Sequence, residues 1–448
     1  MSLSGTGSPV DFVLGLNYSD IPEQTRQFAR RCLLDLIGVA AAGSGTPMSI
    51  AIRKHAAEQL AAGGRGVNML FDSRQVSPMG AALAGGMTID SMDAHDGHKL
   101  TKGHVGCGVL PGLLAFTQAE ARFDDREFLT ALVIGYELGT RAGIALHATV
   151  DDYHTSGAWV SIAVAALGAR ALGLNPQQMR EAMGIAEYHG PRSQMMRVID
   201  TPTMLKDGSG WGAMAGVSAA YLAKDGFTGA PAITVEDQQL ASLWSDVGVR
   251  WRIHEQYFKP YPVCRWAQPA VEAALALCRA HSLSSIDIEH IEVTTFHEAK
   301  RLSTPLPENT EQAQYSLPFA TAAAIVHGSL GPEQVSEQAL QHPEVRRLST
   351  SLLIEEEEQF NREFPTRRLA RVSLITKHGQ RHQSDITEAR GDPEAPLRDS
   401  EIEQKFHYLA DPVLGENRTT RIEEQVQSLG SGRGMKALIN NITSDISA

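Results

Sequence analysis

The chain has 448 residues, of which 42% are hydrophobic and 21% are charged, and its formal net charge is −12. This length predicts more than one domain, and the composition is typical of a soluble globular protein. The negative charge argues against nucleic-acid binding, which requires clustered Lys and Arg. It does not argue against an acidic small substrate, which responds to the local field of its pocket.

The cysteines give no sign of disulfides or zinc. Cys32, Cys107, Cys264 and Cys278 form no CxxC pair and no zinc-ligand spacing. We therefore expect reduced thiols and a cytoplasmic location. The first residues lack the features of a signal peptide, and no run of 18 apolar residues occurs, so no membrane span is expected.

From Ile21 to about Asp287 the apolar periodicity predicts helices almost throughout. The first of these begins at Pro22 and ends at Gly43, as helix-start and helix-stop preferences suggest. Several of the following helices are apolar on every side, which is typical of the interior of a large helical domain. They are predicted at about 78–92, 110–121, 127–147, 157–172, 177–187, 209–224 and 268–282.

The pattern changes near Ile286. The segments IEHIEVTTF and, near residue 370, LARVSLITKHG alternate with β-branched residues and predict strands. A helix containing ATAAAIVHG and a charged helix around 333–358 are predicted between them. From Ser400 the helical pattern returns. We therefore predict a mainly α fold with an all-helical domain at 1–265, an α+β domain at 266–398 and C-terminal helices at 399–448 that return to the helical domain.

The first segment with candidate chemistry is 91–106, SMDAHDGHKLTKGHVG, whose glycines, together with Gly108, predict a loop. Carboxylates beside imidazoles can set a histidine pKa for acid–base catalysis. A solvated polar loop is the ordinary alternative. A metal site is disfavoured because no regular element aims the histidines at one point. The titratable residues of this segment are Asp93, His95, Asp96, His98, Lys99, Lys102 and His104.

Two further segments precede helices. In DDYHTSGAW, residues 151–159, His154 stands before a helix start that could hold an anion, although Thr155 or Ser156 could simply cap the helix. In TPTMLKDGSGWGAMAGV, residues 201–217, Lys206 stands before a Gly-rich helix start, where a lysine can bind a carboxylate or stabilise an enolate. A surface lysine is the alternative, and the absence of GK[ST] argues against nucleotide binding.

The fourth segment is FKPYPVCRWAQPAVEAAL, residues 258–275. Lys259 and Arg265 could clamp carboxylates there, Arg265 in a bidentate manner. The prolines are equally typical of a hinge between domains. No GxSxG motif and no activated cysteine occurs in the sequence, which favours proton transfer over covalent catalysis.

Six segments, taken in order, resemble the MmgE/PrpD family. The resemblance spans about residues 20–430 and implies a large helical domain, a smaller α+β lid domain, a cleft between them, a homodimer and no required cofactor. Members include 2-methylcitrate dehydratase, cis-aconitate decarboxylase and iminodisuccinate epimerase. The segments are SMDAHDGH…GHVGCGVLPGLLA, HTSGAWVSIAVAALGARALGL, LKDGSGWGAMAGVSAAYLAKDGFTGA, KPYPVCRWAQPAVEAAL, AQYSLPFATAAAI and GDPEAPLRDSEIEQKF.

The resemblance also assigns roles to residues. The family's aspartates align with Asp93 and Asp96, its histidines with His104 and His154, and its lysine with Lys206. We predict the catalytic residues to be Asp96, His104, His154 and Lys206. We predict the substrate-binding residues to be Asp93, Lys102, Lys259, Arg265 and Gln268.

Two positions depart from the family pattern. Gln268 replaces a histidine that often follows the KPYPxCR motif, and Phe319 replaces a tyrosine that decarboxylase and dehydratase members often carry. These changes favour epimerisation at a carbon next to a carboxylate of an iminodisuccinate-like acid. His154 and Lys206 would act on one face of the carbon, and His104, oriented by Asp96, on the other.

Two other functions remain open at this point. One is a dehydratase or other lyase acting on a 2-methylcitrate- or citrate-like acid. The other is a non-catalytic protein that binds a polycarboxylate. For each of the three functions we expect a small polycarboxylate ligand, and neither a metal, a nucleic acid nor a membrane as partner.

Overall fold

The computed structural model describes residues 8–120, 123–432 and 434–446. Helices dominate the first 250 residues, so the predicted mainly α fold is confirmed. They are α1 (Pro9–Gly15), α2 (Glu23–Gly43), α3 (Pro47–Gln59), α4 (Pro78–Asp90), α5 (Gly106–Glu120), α6 (Asp125–Thr149), α7 (Gly157–Leu172), α8 (Pro176–His189), α9 (Met196–Asp200), α10 (Ser209–Lys224), α11 (Ile233–Glu236) and α12 (Ala241–Trp244).

Helix α10 packs against both α4 and α7 through glycines. A Cβ atom at Gly212 would lie 2.4 Å from the backbone oxygen of Gly157, and one at Gly210 would lie 2.4 Å from that of Leu83. Because no side chain fits at either position, the three helix backbones approach each other directly. This packing fixes the turn at 203–208 that leads into α10.

The prediction that the glycines of 91–108 all belong to a loop is wrong at its end. Gly106 and Gly108 lie inside α5. A Cβ atom at Gly106 would lie 2.2 Å from the Tyr136 hydroxyl, and one at Gly108 would lie 2.4 Å from Val160. These glycines therefore serve close helix packing and not a turn.

Helix α6 is long and apolar enough to cross a membrane by length and composition alone. However, 94% of its apolar stretch is buried inside the protein, as expected for the core helix of a globular fold. Its buried Arg141 donates hydrogen bonds to the carbonyl groups of Leu243 and Arg250, at 2.5 and 2.7 Å. These contacts tie the segment after α12 to the core.

The helical region also contains short strands, which the prediction of an all-helical domain missed. Strands β1 (Val67–Met69) and β2 (Asp72–Val76) form an antiparallel pair, and so do β3 (Gly97–His98) and β4 (Gln256–Tyr257). Strands this short have too few residues for a period-two pattern to be detected. The second pair holds the 97–104 loop against the 256–265 segment.

The later part of the chain contains a four-stranded sheet in the order β6-β5-β7-β8. Both predicted strands are confirmed as β5 and β7, which pair antiparallel, whereas β6 lies parallel to β5. The strands are β5 (Ile288–Thr295), β6 (Leu352–Glu356), β7 (Ala370–Thr376) and β8 (Arg381–Gln383). The helices of this part are α13 (Gln268–His281), α14 (His297–Lys300), α15 (Thr310–Gln314), α16 (Leu317–His327), α17 (Pro343–Thr350) and α18 (Glu358–Glu363).

The predicted charged helix at 333–358 is wrong over most of its length. The structure has α17 followed directly by β6. As an edge strand, β6 buries Leu352 and leaves its glutamates largely in solvent, so its charge pattern resembled that of an exposed helix.

The chain ends in α19 (Asp399–Leu414), α20 (Glu416–Ser428) and α21 (Met435–Thr443). Helix α19 packs on α2, where a Cβ atom at Gly38 would lie 3.1 Å from the Phe406 ring. The domain boundaries given above and the lid role of the α+β part remain predictions.

Candidate active site

Most of the loop from 91 to 105 lies in the interior of the protein. Five of its titratable residues are buried, with at most 8% of each residue exposed: Asp93, His95, Asp96, His98 and His104. The alternative of a solvated polar loop is therefore wrong. Buried charges are expensive unless they are paired, so their partners indicate what this loop does.

Asp93 lies between two buried lysines. The Nζ of Lys259 is 2.5 Å from Asp93 Oδ1, and the Nζ of Lys206 donates a hydrogen bond to Gln314 Oε1 at 2.6 Å. Burial alone would raise the pKa of Asp93, but the ammonium groups of Lys259 and Lys206 hold it below its usual value. Burial also lowers the pKa of Lys206.

Gln314 connects these groups, and the sequence analysis missed it. Its Oε1 also accepts the backbone N–H of Asp93 at 2.8 Å, and its Nε2 donates to Ser91 O and Thr310 Oγ1. The side chain thus joins α15 to the 91–105 loop. A single glutamine carries no pattern that would have marked it in the sequence.

His104 is held as a neutral base. Its Nδ1 is 2.5 Å from the backbone oxygen of Asp96, and because a carbonyl only accepts, Nδ1 carries the proton. Burial, followed by the nearby His95 and Lys259, lowers the pKa of His104 well below its usual value. Its Nε2 therefore has a free lone pair, 3.6 Å from Asp207 Oδ2.

Asp207 lies in the turn before α10, and its carboxylate contacts Ser156 at the start of α7. Ser156 Oγ donates to Asp207 Oδ2 at 2.7 Å and accepts the backbone N–H of His104 at 2.9 Å. Burial and the charge of Asp90 raise the pKa of Asp207 to about 7. Ser156 is the N-cap residue of α7, as the cap alternative expected, but its hydroxyl bonds these two residues and caps no helix N–H group. We name Asp93, His104, Lys206, Asp207 and Lys259 the lysine cluster.

A strained turn presents Lys206 to the lysine cluster. Lys206 has a φ of 46°, in the left-handed region that a residue with a Cβ rarely adopts, and Gly208 follows with a φ of 64°. A cavity of about 520 Å³ borders the turn and is lined by Lys206, Arg197 and Trp211, among others. Solvent thus approaches the cluster along the 191–211 segment.

Two tyrosines beside the lysine cluster were also missed. Tyr315 is buried, with its ring centre 4.9 Å from Lys206 Nζ, and burial followed by Asp93 raises its pKa. The Tyr257 hydroxyl fills the space beside Gly97, where a Cβ atom would lie 2.4 Å from it and 2.8 Å from His104 Nδ1. An aromatic residue next to a helix or strand is usually read as core, so neither was singled out.

Asp96 belongs to a second buried set of residues behind the loop. Its backbone carbonyl orients His104, but its carboxylate bonds the Tyr136 hydroxyl. Lys405 from α19 bonds Asp35 Oδ1 at 2.5 Å and Ala94 O at 2.6 Å. Burial raises the pKa of Asp96 to about 7. We name Asp35, Asp96, Tyr136 and Lys405 the Asp96 network.

His154 and Lys102 do not join the lysine cluster. His154 Nδ1 bonds Asp152 O at 3.0 Å, and the His154 backbone N–H donates to His147 Nε2. Lys102 Nζ lies 3.8 Å above the ring of Tyr153. Both residues are less buried than His104, and Tyr153, which Lys102 overlies, bonds Glu298 of α14.

Arg265 and Gln268 are occupied by the protein itself. Arg265 donates to Ala389 O, Arg390 O and Gln268 Oε1 at 2.8 to 3.0 Å and pairs with Asp392. The Gln268 amide donates to the carbonyl groups of Tyr261 and Val263. Both side chains therefore hold the 261–265 segment in place. This role could not be predicted from the sequence, because the partners of Arg265 at Ala389, Arg390 and Asp392 lie far away in the chain.

The geometry allows a cation in principle but the charges disfavour it. A divalent ion at Asp93 would lie against the ammonium groups of Lys259 and Lys206, which already neutralise that carboxylate. A site without metal therefore stays our prediction. Among the residues that the structure describes, two sets have candidate ligand atoms within 4.8 Å of one another: Asp90, His95, Cys107 and Asp93, His95, His104.

A mainly helical interior joins paired lysines, carboxylates and a neutral histidine, a set of residues suited to acid–base chemistry. Comparison with protein families identifies the class of protein. The MmgE/PrpD N-terminal domain matches residues 10–247, and the MmgE/PrpD C-terminal domain matches residues 261–430. The chain belongs to the MmgE/PrpD family.

Three relatives cover nearly the whole chain at low identity. A cis-aconitate decarboxylase-like protein, oryM, of Aspergillus oryzae (strain ATCC 42149 / RIB 40) is 23% identical over 98% of both chains. The cis-aconitate decarboxylases of Mus musculus and Aspergillus terreus are each 24% identical over 92% of this chain and 88% and 90% of theirs. These names fit the lyase alternative better than the predicted epimerase.

Proposed function

We propose that this protein is a lyase that acts on a small polycarboxylic acid through a carbanion-like intermediate next to a carboxylate. The observation that carries the proposal is the lysine cluster, which combines two buried ammonium groups around Asp93 and Gln314 with the neutral base His104. Such fixed charges stabilise negative charge that develops on a substrate. The lyase names of the relatives support the same reaction class.

The proposed chemistry needs one base, one acid and positive charge. In decarboxylation, the bond to a carboxylate breaks, CO₂ leaves, and the electron pair left on carbon takes up one proton. In dehydration, His104 Nε2 removes a proton from carbon, and the hydroxyl on the neighbouring carbon leaves as water with a proton from an acid. Lys206 and Lys259 would stabilise the intermediate in both cases, and Asp93 would hold the two lysines in place.

Tyr315 is the acid that the geometry supports. Phe319 is fully buried in α16 and offers no hydroxyl, but Tyr315 lies against Lys206 and donates no hydrogen bond within the part of the chain that is described. The hydroxyl missing at Phe319 is therefore no obstacle to a lyase. We expect Tyr315→Phe to slow product formation about 100-fold, because general acids contribute on the order of 100-fold or more.

The control for Tyr315→Phe is Tyr257→Phe, which removes the other buried hydroxyl beside the cluster. If the two variants lose activity equally, Tyr315 is not the specific acid. The measurement is the rate of product formation under saturating substrate, with thermal unfolding to show that both variants are folded.

Substrate entry requires movement. The residues of the lysine cluster are at most 8% exposed, so the acid reaches them only if surrounding segments move, and one route of approach is the cavity that Lys206 borders along the 191–211 segment. This burial supports the proposed lid role of the α+β part. His154 and Lys102, which are less buried than His104, would line such an opening. The homodimer and the cytoplasmic location remain predictions.

Epimerisation of an iminodisuccinate-like acid is the second candidate. Gln268 and Phe319, which replace a histidine and a tyrosine of the family pattern, favour it. His104 and Lys206 would then remove and return a proton on opposite faces of one carbon. A protein that binds a polycarboxylate without catalysis would explain the paired charges but not the neutral, oriented His104.

Proton NMR in deuterium oxide separates these functions. The substrates to test are cis-aconitate, citrate, 2-methylcitrate and the stereoisomers of iminodisuccinate. Vinyl signals that appear or vanish with the citrate-like acids would support the lyase. Interconversion of iminodisuccinate isomers with loss of the α-proton signal would support the epimerase. Binding without any exchange or product would refute both enzymatic functions.

A further inference from the structure

Arg368 is a buried arginine with unused hydrogen-bond donors. It precedes β7 and is 3% exposed, and its Nε and Nη1 have no hydrogen-bond partner among the residues the structure describes. Native proteins pair nearly all buried polar groups, and an unpaired buried charge is among the most costly. The guanidinium therefore calls for a partner that the protein itself does not supply.

Arg368 borders the lysine cluster through Tyr257. Its Cζ lies 5.2 Å from the centre of the Tyr257 ring, and that ring centre is 6.5 Å from the centre of the His104 ring. The charge of Arg368, with that of Lys259, opposes the rise in pKa that burial causes at Tyr257. Arg368 and Lys259 thus face the same tyrosine from different elements of the chain.

Arg265 and Arg368 differ in how their hydrogen-bond donors are used. The Cζ of Arg265 also lies over the Tyr257 ring, 4.9 Å from its centre. Arg265 donates hydrogen bonds to Ala389 O, Arg390 O and Gln268, whereas Nε and Nη1 of Arg368 have no partner among the described residues. Of the two guanidinium groups at this ring, the one that can accept an outside ligand is therefore Arg368.

We propose that Arg368 binds a carboxylate group of the acid on which the lysine cluster acts. The planar guanidinium matches the two oxygens of a carboxylate, which would satisfy the unused donors and the charge together. The identity of the acid rests on the proposed function. The role of Arg368 does not depend on whether the reaction is a lyase or an epimerase reaction.

Binding of tricarballylate, a saturated tricarboxylate, tests this role. We expect Arg368→Met to weaken its binding at least about 10-fold in isothermal titration calorimetry, because charge-assisted bidentate hydrogen bonds are among the strongest in proteins. Arg367→Met is the matched control. Arg367 is about half exposed and pairs with Glu363 and Glu388, so its loss should change the affinity less than about twofold.

Stability without ligand separates binding from a structural role. If Arg368 serves the ligand, Arg368→Met removes an unpaired buried charge and should unfold no earlier than the wild type. Tricarballylate should raise the unfolding midpoint of the wild type more than that of the variant. Arg368→Lys keeps the positive charge but lacks the paired N–H donors of the guanidinium, so it should bind tricarballylate with intermediate affinity. This variant tests the proposal if Arg368→Met does not fold.

Two outcomes would overturn the inference separately from the proposed function. If the wild type binds tricarballylate and Arg368→Met binds it equally well, Arg368 is not a carboxylate site, although the proposed function stands. If the wild type binds neither tricarballylate nor citrate, the polycarboxylate function fails, and the assignment of Arg368 fails with it.

Discussion

Asp93 and Asp96 stand three residues apart on one loop but belong to two buried centres with opposite electrostatics. In the lysine cluster, two ammonium groups hold the pKa of Asp93 below its usual value, against the effect of burial. In the Asp96 network, one ammonium group faces two carboxylates, and burial raises the pKa of Asp96 to about 7. The same residue type is thus an ion on one side of the loop and a weak acid on the other.

From this difference we expect the lysine cluster to bind the substrate and the Asp96 network to support the 91–105 loop. The lysine cluster combines a free imidazole nitrogen with two buried lysines that contact Asp93 and Gln314, and acid–base chemistry on an anion needs such a combination. In the Asp96 network the polar groups bond one another and the backbone: Lys405 donates to Ala94 O, and the Tyr136 hydroxyl donates to the Asp96 carboxylate. Variants on the two sides of the loop should therefore fail in different ways.

The largest effect is expected on the free energy of unfolding, for a variant of the Asp96 network. Lys405→Met leaves Asp35 buried and without its ion-pair partner, and breaking a buried pair typically costs about 3–5 kcal/mol. The measurement is chemical denaturation. The double variant Asp35→Leu/Lys405→Met should recover most of the loss, because no charge is then left unpaired. A single variant as stable as the wild type would show that the pair is unimportant.

The next effect is expected on the binding side, in rate and not in stability. Lys206→Ala and His104→Ala should each lower turnover at least about 100-fold without unfolding the protein. Lys224→Ala is the control, since this exposed lysine lies at the far end of the same helix, α10. Near-wild-type turnover in either cluster variant would exclude that residue from the mechanism.

The smallest effect is a change in pH dependence. Unfolded Asp96 has a pKa near 3.8 and folded Asp96 one of about 7, so the folded state holds an extra proton between these pH values. The stabilisation from this group is complete below about pH 3.8 and is lost as the pH rises toward 7.

Asp96→Asn mimics the protonated acid and removes this titration. At pH 5 the free energy of unfolding should change by less than about 1 kcal/mol, because the hydrogen bond to Tyr136 is retained. The decline in stability from pH 5 to 7.5 should be shallower in the variant than in the wild type. Parallel curves would mean that Asp96 is already ionised in the folded protein.

Much of the fold followed from local pattern, whereas much of the site did not. The helices and the strands β5 and β7 repeat at the periods that burial imposes, and glycine and proline mark several ends. Lys259 was identified as a candidate, but its contact with Asp93 joins residues 166 positions apart. Nothing in the local sequence indicates which carboxylate a lysine will meet.

The errors at the site have one physical cause. Arg265 has the residue type and the motif of a carboxylate clamp, but carbonyl groups some 125 residues later occupy it. Arg368, Gln314 and Tyr315 stand in ordinary segments, and only the packing of the later segments against the 91–105 loop gives them their positions. Residue type indicates what a side chain can do, and tertiary packing decides whether it is free to do it.

The contact between Lys405 and Asp35 joins residues 370 positions apart. During synthesis on the ribosome, α2 and the 91–105 loop emerge long before α19. Lys405, the ion-pair partner of Asp35, is made only in the last tenth of the chain. The ion pair that supports the 91–105 loop therefore cannot form until α19 has been synthesised.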